Sequence, residues 1–197
     1  GYTAAQQAKE ELSEVYKNTA RLLHANDPNE IALVESATVA WTRLFYSMVQ
    51  HCSTKELEPN HPADHRRKII LLSEAEYAAN VVAACQWAKQ HPNDWTVLAI
   101  PSILLEDGTS SGILDLAILE NMLNGRYMHG DTLLDPSCIA LICITHIPTN
   151  SGIVNPVNDV GRLVDQYNSN NSEDNVKMDG FPCILYLVDA CQSVGQL

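Results

Sequence analysis

What this chain has little of narrows it first. No run of eighteen apolar residues occurs, so no segment is long enough to cross a bilayer as a helix. Cations are scarce: Lys and Arg total 12 against 24 Asp and Glu, a net charge of -12. The basic residues are scattered, which argues against nucleic acid or an anionic membrane as partner. The 6 cysteines (Cys52, Cys85, Cys138, Cys143, Cys183 and Cys191) include no Cys-x-x-Cys pair. Unpaired cysteines, mostly in apolar segments, read as small core residues and fit a reducing cytoplasm. The first residues lack a basic region followed by an apolar run, so no signal peptide is expected. Neither Gly-x-Gly-x-x-Gly nor a Walker loop is present, which speaks against a different nucleotide-binding module.

What is there is enough for one domain with a sizeable core: 197 residues, 46% of them hydrophobic. Residues 3–25 read as an amphipathic helix with Leu12, Val15, Tyr16, Leu22 and Leu23 on one stripe. Ile31 to Val34 reads as a short strand, followed by a helix to about Gln50. Residues 51–67 are polar, carry two prolines and read as a loop. That loop holds His51, Cys52, His61 and His65, but without a matching Cys pair a solvated loop is a better reading than a metal site. Strands are expected at Lys68 to Leu72, Trp95 to Ile100, Cys138 to Thr145 and Cys183 to Val188. Helices are expected after the Ser73 to Asn80 segment through about Lys89, from Leu114 to Leu123 and over 156–168 behind Pro156. Leu105 to Gly108 reads as a turn, while residues 124–137 and 168–180 read as loops. Strands alternating with helices, one of them a continuous apolar run, predict an α/β domain with a mostly parallel sheet.

In such sheets ligands sit outside the carboxyl ends of the strands. Asp189 and Gln192 follow the last apolar run and fall there, although Asp189 could instead cap the turn after it. Ser36-Ala37-Thr38 enters a helix, where free N–H groups and the dipole favour an anion; Ser36 as an ordinary N-cap is the alternative. Glu76-Tyr77 opens another helix, with Tyr77 either facing a ligand or packing at the junction. Thr145-His146-Ile147-Pro148-Thr149 leaves the central strand; His146 is expected to be structural, since it follows the buried run. Cys191 lies beside the proposed site and reads more readily as a packed thiol than as a reactive one.

Val188-Asp189-Ala190-Cys191-Gln192-Ser193-Val194-Gly195 resembles the cofactor strand of class V aminotransferases. This is the pyridoxal-phosphate family that includes cysteine desulfurases, selenocysteine lyases and related C–S lyases. The segment Thr145-His146 through Pro156 resembles a second motif of that family, and the motifs occur in family order. The resemblance implies a three-layer sandwich, the large domain of a fold-type-I enzyme. It implies that Ala37 (through its N–H) and Thr38 hold the cofactor phosphate. Asp189 would pair with the pyridine nitrogen and Gln192 with the ring hydroxyl. Tyr77 stands where the family usually has a ring-stacking His. A tyrosine can stack as well, but a phenol keeps its proton at neutral pH. That departure points to the subgroup resembling C–S lyases and epimerases. Thr149 stands where Asn is common, near ring and substrate.

The same resemblance requires a lysine beyond the Asp-x-x-Gln strand to form the Schiff base. The lysines here are Lys9, Lys17, Lys55, Lys68, Lys89 and Lys177, none of them after Asp189, so no catalytic residue is assigned in this chain. Residues 1–197 are therefore expected to form part of a large domain, without the lysine-bearing part and the small carboxyl-terminal domain. The family sheet places two strands from beyond Asp189 between the Ile31–Val34 strand and the rest. A second chain or a continuation is expected to supply them, and the complete protein is expected to be a homodimer acting on an amino acid. The alternative is a relic that keeps the fold as a scaffold or subunit. No arginine in the chain is an obvious partner for a substrate carboxylate.

Overall fold

The computed structural model describes residues 2–53, 68–171 and 183–196. Helix α1 spans Tyr2–Leu22, and a 3-10 turn at Pro28–Glu30 leads to α2, Ala37–Ser53. Next come β1 (Lys68–Ser73), α3 (Ala78–Gln90) and β2 (Trp95–Ile100). A hairpin of β3 (Ser102–Leu104) and β4 (Ser110–Leu114) precedes α4 (Leu116–Leu123). A smaller hairpin, β5 (Met128–His129) and β6 (Thr132–Leu133), leads to β7 (Ile139–Thr145). Helix α5 (Val157–Asn170) and strand β8 (Leu185–Asp189) complete the order.

The main sheet runs β2-β1-β7-β8, with all pairings parallel. Successive side chains on a strand alternate between faces. Ile70, Leu72, Leu141, Cys143 and Leu187 therefore pack with Trp41, Phe45 and Val49 of α2 and Ala84 and Trp87 of α3. Leu71, Ile142 and Ile144 face the other way, onto Leu119 and Met122 of α4 and Val160 and Val164 of α5. Helices cover both faces, which is why every residue of β7 is buried and why it reads as an unbroken apolar run. The three-layer α/β architecture expected from the sequence is the one observed.

Several local details add to or change these expectations, among them the β5–β6 hairpin inside residues 124–137, a span that reads as a loop in the sequence. Ile31 to Val34 is not a strand; no neighbouring strand is available to it among the described residues, and β8 forms the sheet edge on that side. The apolar stripe of α1 is not covered by the described residues, where Leu12, Val15, Leu22 and Leu23 are exposed and only Ala20 is buried. The turn at Leu105 to Gly108 closes the β3–β4 hairpin, with Gly108 at φ 81°, a conformation that a Cβ disfavours. Asp115 then caps α4, accepting from the N–H groups of Ala117 and Ile118. The last strand begins at Leu185 and includes Asp189, two residues later than expected at its start. His61, His65, Lys55 and Lys177 lie outside the described residues.

Candidate functional site

Because the sheet is parallel, the carboxyl ends of β1, β7 and β8 open on the same side. Register pairs Thr145 with Asp189, so the ends of β7 and β8 are level. Both side chains face the α2–α3 layer, in step with Cys143 and Leu187 on the same strands. A cleft of about 260 Å³ opens there, near the low end of small-molecule sites, roughly 300–1,000 Å³. It is lined by Ala37 and Thr38 of α2, Tyr77 and Asn80 at the start of α3, and Thr145, Ile147 and Thr149 after β7. Asp189, Cys191 and Gln192 after β8 complete it. All six residues singled out from sequence, drawn from four separate segments, meet in this one cavity.

The geometry of each follows from its element. Ser36 accepts a hydrogen bond from the Val39 N–H at 3.3 Å, so it acts as a cap. That leaves Ala37 and Thr38 in the first turn, where N–H groups have no intrahelical partner and the dipole is positive. Tyr77 occupies the N-cap position of α3 in extended backbone, and its side chain is 39% exposed beside the cleft. Thr149 sits in a turn closed by the Gly152 N–H donating to the Pro148 carbonyl at 3.0 Å. Gln192 is exposed in the turn after β8. Cys191 is exposed as well, so the expectation of a packed thiol does not hold.

Asp189 is the most tightly held of these groups. Its Oδ2 accepts from Asn80 Nδ2 at 3.1 Å, and its Oδ1 accepts from the Cys191 N–H at 3.1 Å. The capping role considered from sequence is therefore real, and it uses one oxygen only. Behind it lies a carboxylate that sequence reasoning did not single out. Glu76 accepts from Ser73 Oγ at 2.9 Å, the Tyr77 N–H at 3.1 Å, Asn80 Nδ2 at 3.1 Å and the Thr145 N–H at 2.9 Å. Thr145 Oγ1 donates to it too. Glu76 precedes the helix that carries Asn80, so no helical i, i+4 pattern marks this hub in the sequence.

Other candidates fall away from the cleft. His146 is one residue past Thr145, so its side chain lies on the opposite face, in a groove with Val157, Tyr186 and Val188. It does not line the cleft. Cys143 is fully buried; burial first, and the Glu76 charge second, push its thiol well above the ordinary range. Among the described residues no group of three or more His, Cys, Asp or Glu is placed to hold a metal. Among the described residues the cleft lining includes one carboxylate and no lysine or arginine.

No protein-family model matches the chain, and no curated protein matches it. Solved structures do. A NifS-like protein superposes with a TM-score of 0.66 at 18% identity, over 97% of this chain and 40% of its own. The cystine C–S lyase C-DES, in complex with its reaction product cysteine persulfide, gives 0.62 at 17% identity, over 100% and 40%. In another structure, a C-DES mutant carries glycine covalently linked to the PLP cofactor. A cysteine desulfurase from Thermococcus onnurineus gives 0.65 at 17% identity, over 98% and 36%. At these identities the likeness shows the fold. The chain spans about two-fifths of the length of those proteins.

Proposed function

We propose that this chain forms the cofactor-binding face of a pyridoxal-phosphate enzyme acting on an amino acid, with carbon–sulfur cleavage as its reaction. One observation carries the reading: Ala37, Thr38, Tyr77, Thr149, Asp189 and Gln192, distant in sequence, line one cleft at the carboxyl ends of the strands. Its donor set suits the cofactor. A helix start suits a phosphate, an aromatic face suits a flat ring, and a fixed carboxylate suits a protonated pyridine nitrogen.

When bound, the cofactor supplies an electron sink for the pair left on the substrate when a bond to its α-carbon breaks. The chain's residues orient and tune that group. Asp189, held by Asn80 and the Cys191 N–H, keeps a proton on the pyridine nitrogen by the pull of its negative charge. The N–H of Ala37 and the N–H and hydroxyl of Thr38 grip the phosphate. Tyr77 covers one ring face and excludes water from it. Gln192 hydrogen-bonds the ring oxygen, and the Thr149 hydroxyl meets ring or substrate. The Schiff-base lysine and the arginine for the substrate carboxylate come from a continuation or a second chain, and the complete enzyme is a cytoplasmic homodimer.

The second reading, a scaffold that keeps the fold without the chemistry, is favoured by one fact: among the described residues no lysine lines the cleft. The two readings separate on cofactor affinity. A hydrogen bond to a charged group contributes about 1.5–3 kcal/mol, so Asp189→Ala should weaken pyridoxal-phosphate binding about 10- to 100-fold. Unchanged affinity in equilibrium dialysis sinks the enzymatic reading.

A further inference from the structure

Asn80 is 3% exposed and lies between two carboxylates. Its single Nδ2 is 3.1 Å from Asp189 Oδ2 and 3.1 Å from Glu76 Oε1, with Thr145 Oγ1 farther, at 3.5 Å. Both near neighbours are pure acceptors when ionised, so the NH2 end of the amide must face them, and its two hydrogens serve one carboxylate each. Two like charges close together in a half-buried site repel. An amide between them supplies a donor to both and carries no charge of its own.

We infer that Asn80 is the positioning residue of this site, bridging Glu76 to Asp189 so that Asp189 presents a fixed, ionised carboxylate to the cofactor's ring nitrogen. The inference rests on the function proposed above and extends it to a residue that acts only through Asp189. Glu76 is the anchor: its contacts to Ser73, the Thr145 N–H and the Tyr77 N–H tie it to β1, β7 and the start of α3. Asn80 transmits that rigidity to the end of β8, 109 residues away in sequence. The Cys191 N–H holds the other oxygen, so the carboxylate is fixed at both of its atoms.

The test is a double-mutant cycle read in binding, with pyridoxamine phosphate as the probe. This form of the cofactor carries an amine in place of the aldehyde and needs no lysine. Its affinity is measured by fluorescence titration on purified wild-type protein, Asn80→Ala, Asp189→Ala and the double variant, each checked by thermal melting without cofactor. Asn80→Ala should weaken binding about 10-fold in the native background and less than about 2-fold in the Asp189→Ala background. Asn80→Ser, which keeps one donor, should fall between wild type and Asn80→Ala. Equal losses in both backgrounds would show that Asn80 does not act through Asp189 and would overturn the inference. So would native affinity in Asn80→Ala, or failure of both Asn80 variants to fold, which would make the residue a structural one. If wild type does not bind the probe at all, the function proposal itself fails; if Asp189→Ala matters and the cycle is additive, only the role of Asn80 fails.

Discussion

Replacing Glu76 by alanine should destabilise the fold more than its half-exposed position suggests. Its carboxylate accepts five hydrogen bonds, from Ser73, the Tyr77 N–H, Asn80, and the N–H and hydroxyl of Thr145. Three of those donor residues, Ser73, Asn80 and Thr145, are themselves buried. Water entering the vacated space can serve the more exposed donors, such as the Tyr77 N–H. The Thr145 N–H, at the end of a fully buried strand, and the Asn80 amide are harder to reach. A buried donor left without a partner costs about 1–3 kcal/mol, so two of them give about 2–6 kcal/mol. That is a large share of a total stability of about 5–15 kcal/mol. For a chain of this size the melting temperature should fall by about 4–24 °C, at roughly 2–4 °C per kcal/mol. Urea unfolding followed by circular dichroism measures the change directly. Glu76→Gln should lose less, because one carbonyl oxygen still accepts. A loss under 1 kcal/mol for Glu76→Ala would refute the reasoning, showing that solvent replaces the carboxylate at no cost.

Phe45 is fully buried and stacked on Trp41 at 4.7 Å, so Phe45→Ala should cost about 3–5 kcal/mol in the same assay. Alkylation of native protein near pH 8, mapped by peptide mass, should label the exposed Cys85 and Cys191 and spare Cys138 and Cys143 until denaturant is added. Alkaline stability should fall through a defined window. Burial first, and Asp135 second, push the Cys138 thiol up to about 11 from 9.0, while burial raises Tyr167 to about 12. Both groups favour their neutral forms in the fold. Their contribution is therefore complete below the ordinary thiol value and is lost as pH rises from about 9 towards 11 and 12. Urea midpoints that stay flat from pH 8.5 to 11.5 would contradict this.

The parallel sheet was legible because both of its faces are covered. β1 and β7 carry continuous apolar runs, and only a doubly covered sheet requires that. The six candidate residues were legible because each sits where an element begins or ends, and parallel pairing brings those ends together. The β3–β4 hairpin was not legible: Ser102-Ile103-Leu104 and Ser110-Ser111-Gly112-Ile113-Leu114 show no clean alternation, and pairing between chain segments is what makes them strands. Ile31 to Val34 failed for the opposite reason, an apolar run with no strand beside it among the described residues. Glu76 and Asn80 were missed as chemistry because what matters about them is tertiary. Their partners Thr145 and Asp189 lie 69 and 109 residues along the chain, beyond any local pattern.

The most direct test of the central claim is mass spectrometry of the purified protein, incubated with pyridoxal phosphate, reduced with borohydride and digested. Reduction locks a lysine–cofactor bond in place. The account predicts an adduct on a lysine outside residues 1–197, in a continuation or a second chain, and loss of that adduct in Asp189→Ala. Absence of any adduct together with no measurable cofactor binding would contradict it, and so would an adduct on a surface lysine that is indifferent to Asp189.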